Sequence, residues 1–508
     1  MSEDDATGPE GRTEEAAVVP ESPEDAQRAL ILSRFDRESE HPRKLAPGRG
    51  AGTDSGMDFF YEAGTILVRE EHFEHVRRIL DQLHLLPRGD REPVSQPVIA
   101  GIRLIRLNPE LNPQLGTLET LKLLREGGEV TINRPADQSG DVDTPAEGSG
   151  PEQGERPADD AGSAEGAGSA EGAGSAEGER PPGTVPQTVL VTGLGPGVGT
   201  PNHLVSITGG RGNGAGCPAT EPEPMPAGSA PYPGYTSDRC AGEGVKIVVV
   251  DTGFDATAPD RSDWLTGVEG DKDLGIVGNT LEFYAGHGTF IAGVIRSVAP
   301  LAEVCVRKGF GPEGTVVESD LVAKLDEIIE KDDPDIISMS AGTYCHDATG
   351  LPTFGIFNER RLSHHKGVVL VVAAGNYADR KAFWPAAAPY TVSVGALNTY
   401  WHGRAGFSDY GGWVDVYAPG QDLVNAFPVG NYTYREPPHV GPGRPPRQEE
   451  FYGMAKWSGT SFSTPLVAGL IAARMSRTGE NGRDAAAALI AEARQAAQPG
   501  VGAVLLPE

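Results

Sequence analysis

An aspartate, a histidine and a serine stand in this chain in surroundings that suit chemistry more than packing. Asp251 ends the run Val245-Lys246-Ile247-Val248-Val249-Val250 and is followed by Thr252-Gly253. His287 lies in Gly286-His287-Gly288-Thr289, ahead of the apolar stretch Phe290-Ile291-Ala292-Gly293-Val294-Ile295. Ser461 lies in Ser458-Gly459-Thr460-Ser461-Phe462-Ser463-Thr464-Pro465, ahead of an apolar run through Ala473. These types can share one task. A hydroxyl attacks a carbonyl, an imidazole takes its proton and returns it to the leaving group, and a carboxylate fixes the imidazole tautomer. The chain order Asp, His, Ser separates this arrangement from those that run Ser, Asp, His or His, Asp, Ser.

The flanking segments predict how the three are positioned. An apolar, β-branched run bounded by Gly244 and Gly253 reads as a buried parallel strand. That puts Asp251 at the carboxyl end, where open α/β sheets build sites. His287 and Ser461 each open a buried helix, and a nucleophile there meets free N–H groups and the positive end of the dipole. Further strands are read at 246–250, 302–306, 336–340, 368–373 and 391–394. Helices lie between them, including 318–331 with apolar Leu321, Val322, Leu325, Ile328 and Ile329. Strands alternating with helices predict a doubly wound, parallel α/β sheet. Singly, each letter has a plainer reading: Asp251 as a turn residue, Ser461 or Thr460 as a helix cap.

With these motifs in order, the chain resembles the subtilisin-like serine peptidases. Val371-Val372-Ala373-Ala374-Gly375-Asn376 and Val414-Asp415-Val416-Tyr417-Ala418-Pro419-Gly420 extend the resemblance, which covers residues 242–475. Sedolisins, a related family, carry Glu where this chain has His287. The resemblance implies a serine endopeptidase with catalytic Asp251, His287 and Ser461. It implies oxyanion donors at Asn376 and the Ser461 N–H. Substrate would lie along Gly309-Phe310-Gly311 and Ser340-Ala341-Gly342, with Ala374-Gly375 and Asn376 bordering a P1 pocket whose small residues leave room. The chain departs from the family at Phe290, where a second His is frequent, and at Phe462, Ser463 and Leu466. The chemistry requires no cofactor. Structural calcium is common in the family, but Asp271-Lys272-Asp273 has no EF-hand spacing and reads as a solvated loop. The competing functional class is an inert scaffold that keeps the fold as a binding module.

The remaining sequence sets the frame. The 508 residues carry a formal net charge of -29, which speaks against nucleic acid as a partner. The first residues lack the basic start and apolar core of a secretory signal, and no run reaches the length of a membrane span, so a cytoplasmic location is expected. Four cysteines fit reduced thiols, with a Cys217–Cys240 bridge left open. Asn431-Tyr432-Thr433 is a formal glycosylation sequon read as an ordinary loop.

Composition divides the chain. Residues 1–56 are acidic and Pro/Gly-rich and are expected to be disordered. Residues 57–134 predict a small α+β domain in a β-α-β-α-β order. It is similar to subtilisin propeptides in size and position, and an interaction domain reads equally well. Residues 135–185 are low complexity, with Gly-Ser-Ala-Glu-Gly-Ala starting at Gly162 and Gly168, and are expected to act as a tether. Residues 186–240 form a turn-rich segment. Within it Gly193-Leu194-Gly195-Pro196-Gly197-Val198-Gly199 lacks the spacing of a dinucleotide loop. Residues 241–490 hold the peptidase-like domain and 491–508 a C-terminal tail. The expected partners are protein or peptide substrates and, within the chain, an inhibitory N-terminal domain.

Overall fold

The computed structural model describes residues 22–35, 43–49, 58–87, 94–135, 184–207, 219–346, 350–441 and 445–507. The small N-terminal unit contains α1 (Pro23–Arg34), β1 (Leu45–Gly48), β2 (Phe59–Arg69), α2 (Glu70–Gln82), β3 (Ser95–Ile99), β4 (Ile102–Arg106), α3 (Thr117–Glu126), β5 (Gly127–Pro135), β6 (Thr184–Thr192) and β7 (Gly199–Ser206). Its core joins Ile66 and Val68 of β2 to Phe73, Val76, Ile79 and Leu80, the apolar face of α2, and to Ile132 and Val191.

The larger unit continues with β8 (Glu223–Pro224), β9 (Lys246–Asp251), β10 (Glu269–Gly270), β11 (Ile276–Val277), β12 (Thr280–Leu281), α4 (His287–Val298), β13 (Glu303–Lys308), β14 (Thr315–Val317) and α5 (Glu318–Asp332). There follow β15 (Ile336–Met339), α6 (Pro352–Arg360), β16 (Val369–Ala373), β17 (Thr391–Leu397), β18 (Val416–Pro419), β19 (Leu423–Thr433), β20 (Gln448–Trp457), α7 (Thr460–Thr478) and α8 (Gly482–Gln495). Seven strands form one sheet in the order β10-β13-β9-β15-β16-β17-β18. All its pairings are parallel. The expected strands and helices are present, and the continuous apolar runs are explained by helices covering both faces.

Three boundaries differ from the sequence reading. Part of the expected disordered N-terminus is structured. Ser22 caps α1 and accepts from Asp25 N at 3.2 Å, Leu30 and Ile31 are buried, and β1 pairs with β2. The rest of 1–56 lies outside the described residues, as does 136–183. The low-complexity tract does not separate two bodies. β5 pairs antiparallel with β6 across it, from Gly127↔Thr192 to Pro135↔Thr184, so it is an insertion in a hairpin of the small unit. β7 returns to the same sheet beside β2, which carries the small unit on to Ile207. Finally, the C-terminal tail joins the main sheet. Tyr417 N donates to Ala503 O and Leu505 N to Tyr417 O, both at 2.9 Å.

The two units share a sheet edge. β7 pairs antiparallel with β14 of the larger unit, and the buried pair His203 and Glu318, at 2.8 Å, lies on that boundary. No helix of the described residues is long and apolar enough to cross a membrane.

Candidate active site

Asp251 is the last residue of β9, held between β13 and β15. Its carbonyl oxygen accepts from Gly309 N at 2.8 Å and Phe310 N at 3.3 Å. Its carboxylate accepts from Thr252 N at 2.8 Å. His287 is the first residue of α4, after Gly286 with φ +81°. A side chain at Gly286 would be strained at that φ and would also meet Phe427. His287 Nδ1 lies 2.8 and 2.9 Å from the two Asp251 carboxylate oxygens. An Nδ1–H donated there leaves Nε2 with a lone pair.

Ser461 stands in the first turn of α7, where backbone N–H groups have no helical acceptor. Four residues on, Pro465 lacks the N–H that would bond Ser461 O. That oxygen instead accepts from Ser340 Oγ at 2.9 Å, which ties the serine turn to the end of β15. Asn376 follows β16. Its Oδ1 accepts from both Thr460 N and Thr460 Oγ1 at 2.9 Å, so the amide nitrogen is the end directed away from Thr460. Among the described residues, His287 Nε2 and Ser461 Oγ are buried polar atoms with no hydrogen-bond partner. In a folded interior such atoms are rare and point to a task.

An aromatic wall backs the histidine. Trp457 meets the His287 ring edge-on at 5.4 Å and Phe462 lies at the same distance. Phe290 packs on Phe462 at 4.5 Å. Two of the departures from the family pattern thus pack together beside the imidazole. Asp273, read from the sequence as part of a solvated loop, is instead buried, because its carboxylate is taken up by backbone N–H groups beside His287. Its carboxylate accepts from Gly275 N at 2.8 Å and from Gly286 N, one residue before His287, at 2.7 Å. Burial pushes its pKa up to about 6, beyond the lowering effect of those two bonds. The neighbouring Asp271 accepts from Lys308 N at 2.8 Å. Among the described residues no group of three or more His, Cys, Asp or Glu is placed to hold a metal.

Of the expected substrate contacts, Ser340 and Gly342 border the site and Ala341 is buried between them. Gly309 and Phe310 are engaged with Asp251, while Gly311 closes a tight turn, with Gly311 N bonded to Thr315 O at 3.0 Å. The open edge is one turn further on, at Gly314 to Val317. The chain's own Leu204–Ile207 fills the gap between that edge and Gly342. Leu204 pairs with Val317 and Ser206 with Thr315. Ser206 and Gly342 exchange bonds at 3.1 and 3.0 Å, and Ile207 N donates to Gly314 O at 3.0 Å.

A family model described as the subtilase family matches residues 242–503. A thermophilic serine proteinase of Bacillus sp. (strain AK1) is 32% identical over 267 residues, covering 49% of this chain and 57% of that protein. A subtilisin-like serine protease, Pen ch 13, of Penicillium rubens is 30% identical over 269 residues, covering 50% and 58%. The chain therefore spans a little over half the length of these curated relatives. A solved cold-adapted subtilisin-like serine proteinase aligns with 53% of this chain and 90% of its own, at 21% identity and a TM-score of 0.39.

Proposed function

The chain belongs to the subtilase family, and on that premise we propose that it is a serine endopeptidase working through Asp251, His287 and Ser461. The observation that carries this is the His287 imidazole seated on both Asp251 oxygens, with Nε2 and Ser461 Oγ left buried and unpartnered. Ser461 Oγ attacks the scissile carbonyl and His287 Nε2 accepts its proton. The tetrahedral oxyanion is held by Asn376 Nδ2 and the Ser461 N–H. His287 then returns the proton to the leaving amine and water repeats the cycle on the acyl-enzyme. Donors like Asn376 supply about 3 kcal/mol in subtilisins. The reading asks for no cofactor.

The small unit is proposed to restrain this site. Leu204–Ile207 supports that role, because it occupies the edge between Gly314–Val317 and Gly342 as an added strand, a recurring mode of peptide recognition. The test is mutational. Ser461→Ala is expected to abolish hydrolysis of a protein substrate and labelling by a fluorophosphonate, and Asp251→Asn to lower kcat about 10⁴-fold through the wrong tautomer. Near-normal cleavage by Ser461→Ala would sink the reading.

A further inference from the structure

We propose that Phe383 closes the floor of the pocket for the residue before the scissile bond, so that the enzyme cleaves after small side chains and excludes large ones. The inference rests on the peptidase reading above and specifies its substrate class.

The argument starts from register. Ser206 sits opposite Gly342 in an antiparallel ladder. A peptide in that register, continued by two residues, lies opposite Ser340, whose hydroxyl is bonded to Ser461 O. The residue opposite Ser340 is therefore the one presented to the nucleophile. β15 and β16 are parallel neighbours, with Met339 opposite Val372. The segments leaving them, Ser340–Gly342 and Ala374–Asn376, consequently form the two sides of a crevice at the carboxyl end of the sheet, where side chains of ligands enter. Sequence reasoning expected that crevice to be open, because its walls are small residues.

It is filled from below. Thr343 and Trp384 exchange backbone bonds at 2.8 and 2.9 Å, and this ladder carries Phe383 alongside Gly342. A Cβ on Gly342 would strike the Phe383 ring, with Cδ1 at 2.7 Å, and a Cβ on Gly375 would lie 3.1 Å from the same Cδ1. One ring thus touches both walls. It is 2% exposed and is braced by Tyr344 at 5.4 Å and Tyr377 at 6.0 Å, which also pack on each other. A buried ring braced by two others yields only if they move with it. Gly, Ala, Ser or Thr fits above it; Phe, Leu or Tyr would have to displace it.

The test is a series of peptides differing only at that residue, given to the full-length protein and to Phe383→Ala and Phe383→Leu, each both intact and cut after Ile207. The wild type is expected to favour Ala over Phe by about 100-fold or more in kcat/KM, a margin of the kind pocket size sets. Phe383→Ala is expected to gain at least about tenfold on the Phe peptide while keeping the Ala peptide within a few fold, with Phe383→Leu between. Should the alanine variant fail to fold, the wild-type profile and the leucine variant carry the test. Preference of the wild type for Phe or Leu, or profiles unchanged by substitution, overturns the proposal alone. Absence of hydrolysis of every peptide, by the intact chain and also after scission beyond Ile207 has freed the edge that Leu204–Ile207 fills, overturns the peptidase reading and this one with it.

Discussion

Asn376 divides its side chain between two tasks. Its oxygen is held by Thr460 N and Oγ1, which fixes the amide against the turn that carries Ser461. Under the proposed mechanism the nitrogen end is thereby fixed before the reaction, the arrangement that makes an oxyanion donor effective. Asn376→Ala is expected to lower kcat about 10²–10³-fold with KM little changed, measured by steady-state kinetics on one peptide. A rise in KM at constant kcat would mark Asn376 as a binding residue. The placement of Asp251, His287, Ser461 and Asn376 at the ends of strands and the starts of helices was legible in the sequence because each carries its own turn and its own apolar element. Asp273, Phe383 and Ser340 Oγ were not. Nothing local marks Asp273: its meaning comes from Gly286 N, thirteen residues away in sequence and 2.7 Å in space.

Among the elements, β20 joins the wall behind the imidazole to the chain that precedes β9. Trp457 at its end meets the His287 ring edge-on and donates to Thr220 O at 2.7 Å. The short segment before the larger unit is thus fastened to the wall behind the imidazole. Ala219 N bonds Ser458 O at 3.2 Å, Tyr434 Oη bonds Pro222 O at 2.8 Å, and β8 pairs with β20. Glu221 is the centre of this fastening. Its carboxylate accepts from Arg435 N, Glu436 N and Tyr432 Oη at 2.8 to 3.0 Å, yet burial pushes its pKa up to about 7. The fold therefore holds the proton more tightly than the unfolded chain does. That contribution is present in full below about pH 4.5 and is lost as pH rises to about 7. Against Glu221→Gln, which does not titrate, the wild type should be relatively more stable at pH 5 than at pH 8, by about 3 kcal/mol. Urea melts of both proteins across that range check it. A difference independent of pH would mean the carboxylate is charged throughout. At this scale sequence periodicity located β9, β13, β15, β16, β17 and α5. It missed β6 and β7, whose partners lie far off along the chain.

Over the whole molecule, the boundary between the two units is polar as well as apolar. His203 Nδ1 meets Glu318 Oε2 at 2.8 Å, both fully buried, and His203 Nε2 accepts from His346 N at 3.1 Å. Asn202 bonds Ser319 on the facing helix from both ends of its amide, at 3.0 Å each. Removing His203 leaves the buried Glu318 carboxylate short of a donor, at about 1–3 kcal/mol. A separately made small unit is expected to inhibit the larger one. His203→Ala in it is expected to weaken that inhibition about 10–100-fold, read from inhibition constants on a peptide substrate. Equal inhibition by both would remove this boundary from the account of restraint. Composition alone could not reveal such an interface, since its histidine and glutamate look like any other polar residues until β7 meets α5.

The pairing of Pro135 with Thr184 has one more consequence. The two ends of the low-complexity tract are clasped by a ladder whose Ile132 and Val191 reach the small unit's core. The length of what lies between is then almost free to drift, since doubling a closed loop costs only about 0.6 kcal/mol. Covalent continuity across 136–183 is also dispensable for holding the small unit together. A nick there divides one polypeptide into two while the ladder keeps them a single body, so under the proposed restraint scission in this tract is not expected to liberate the site, whereas scission after Ile207 is. In evolutionary terms the tract is a place where insertions, fusions and repeats can accumulate without passing through the fold.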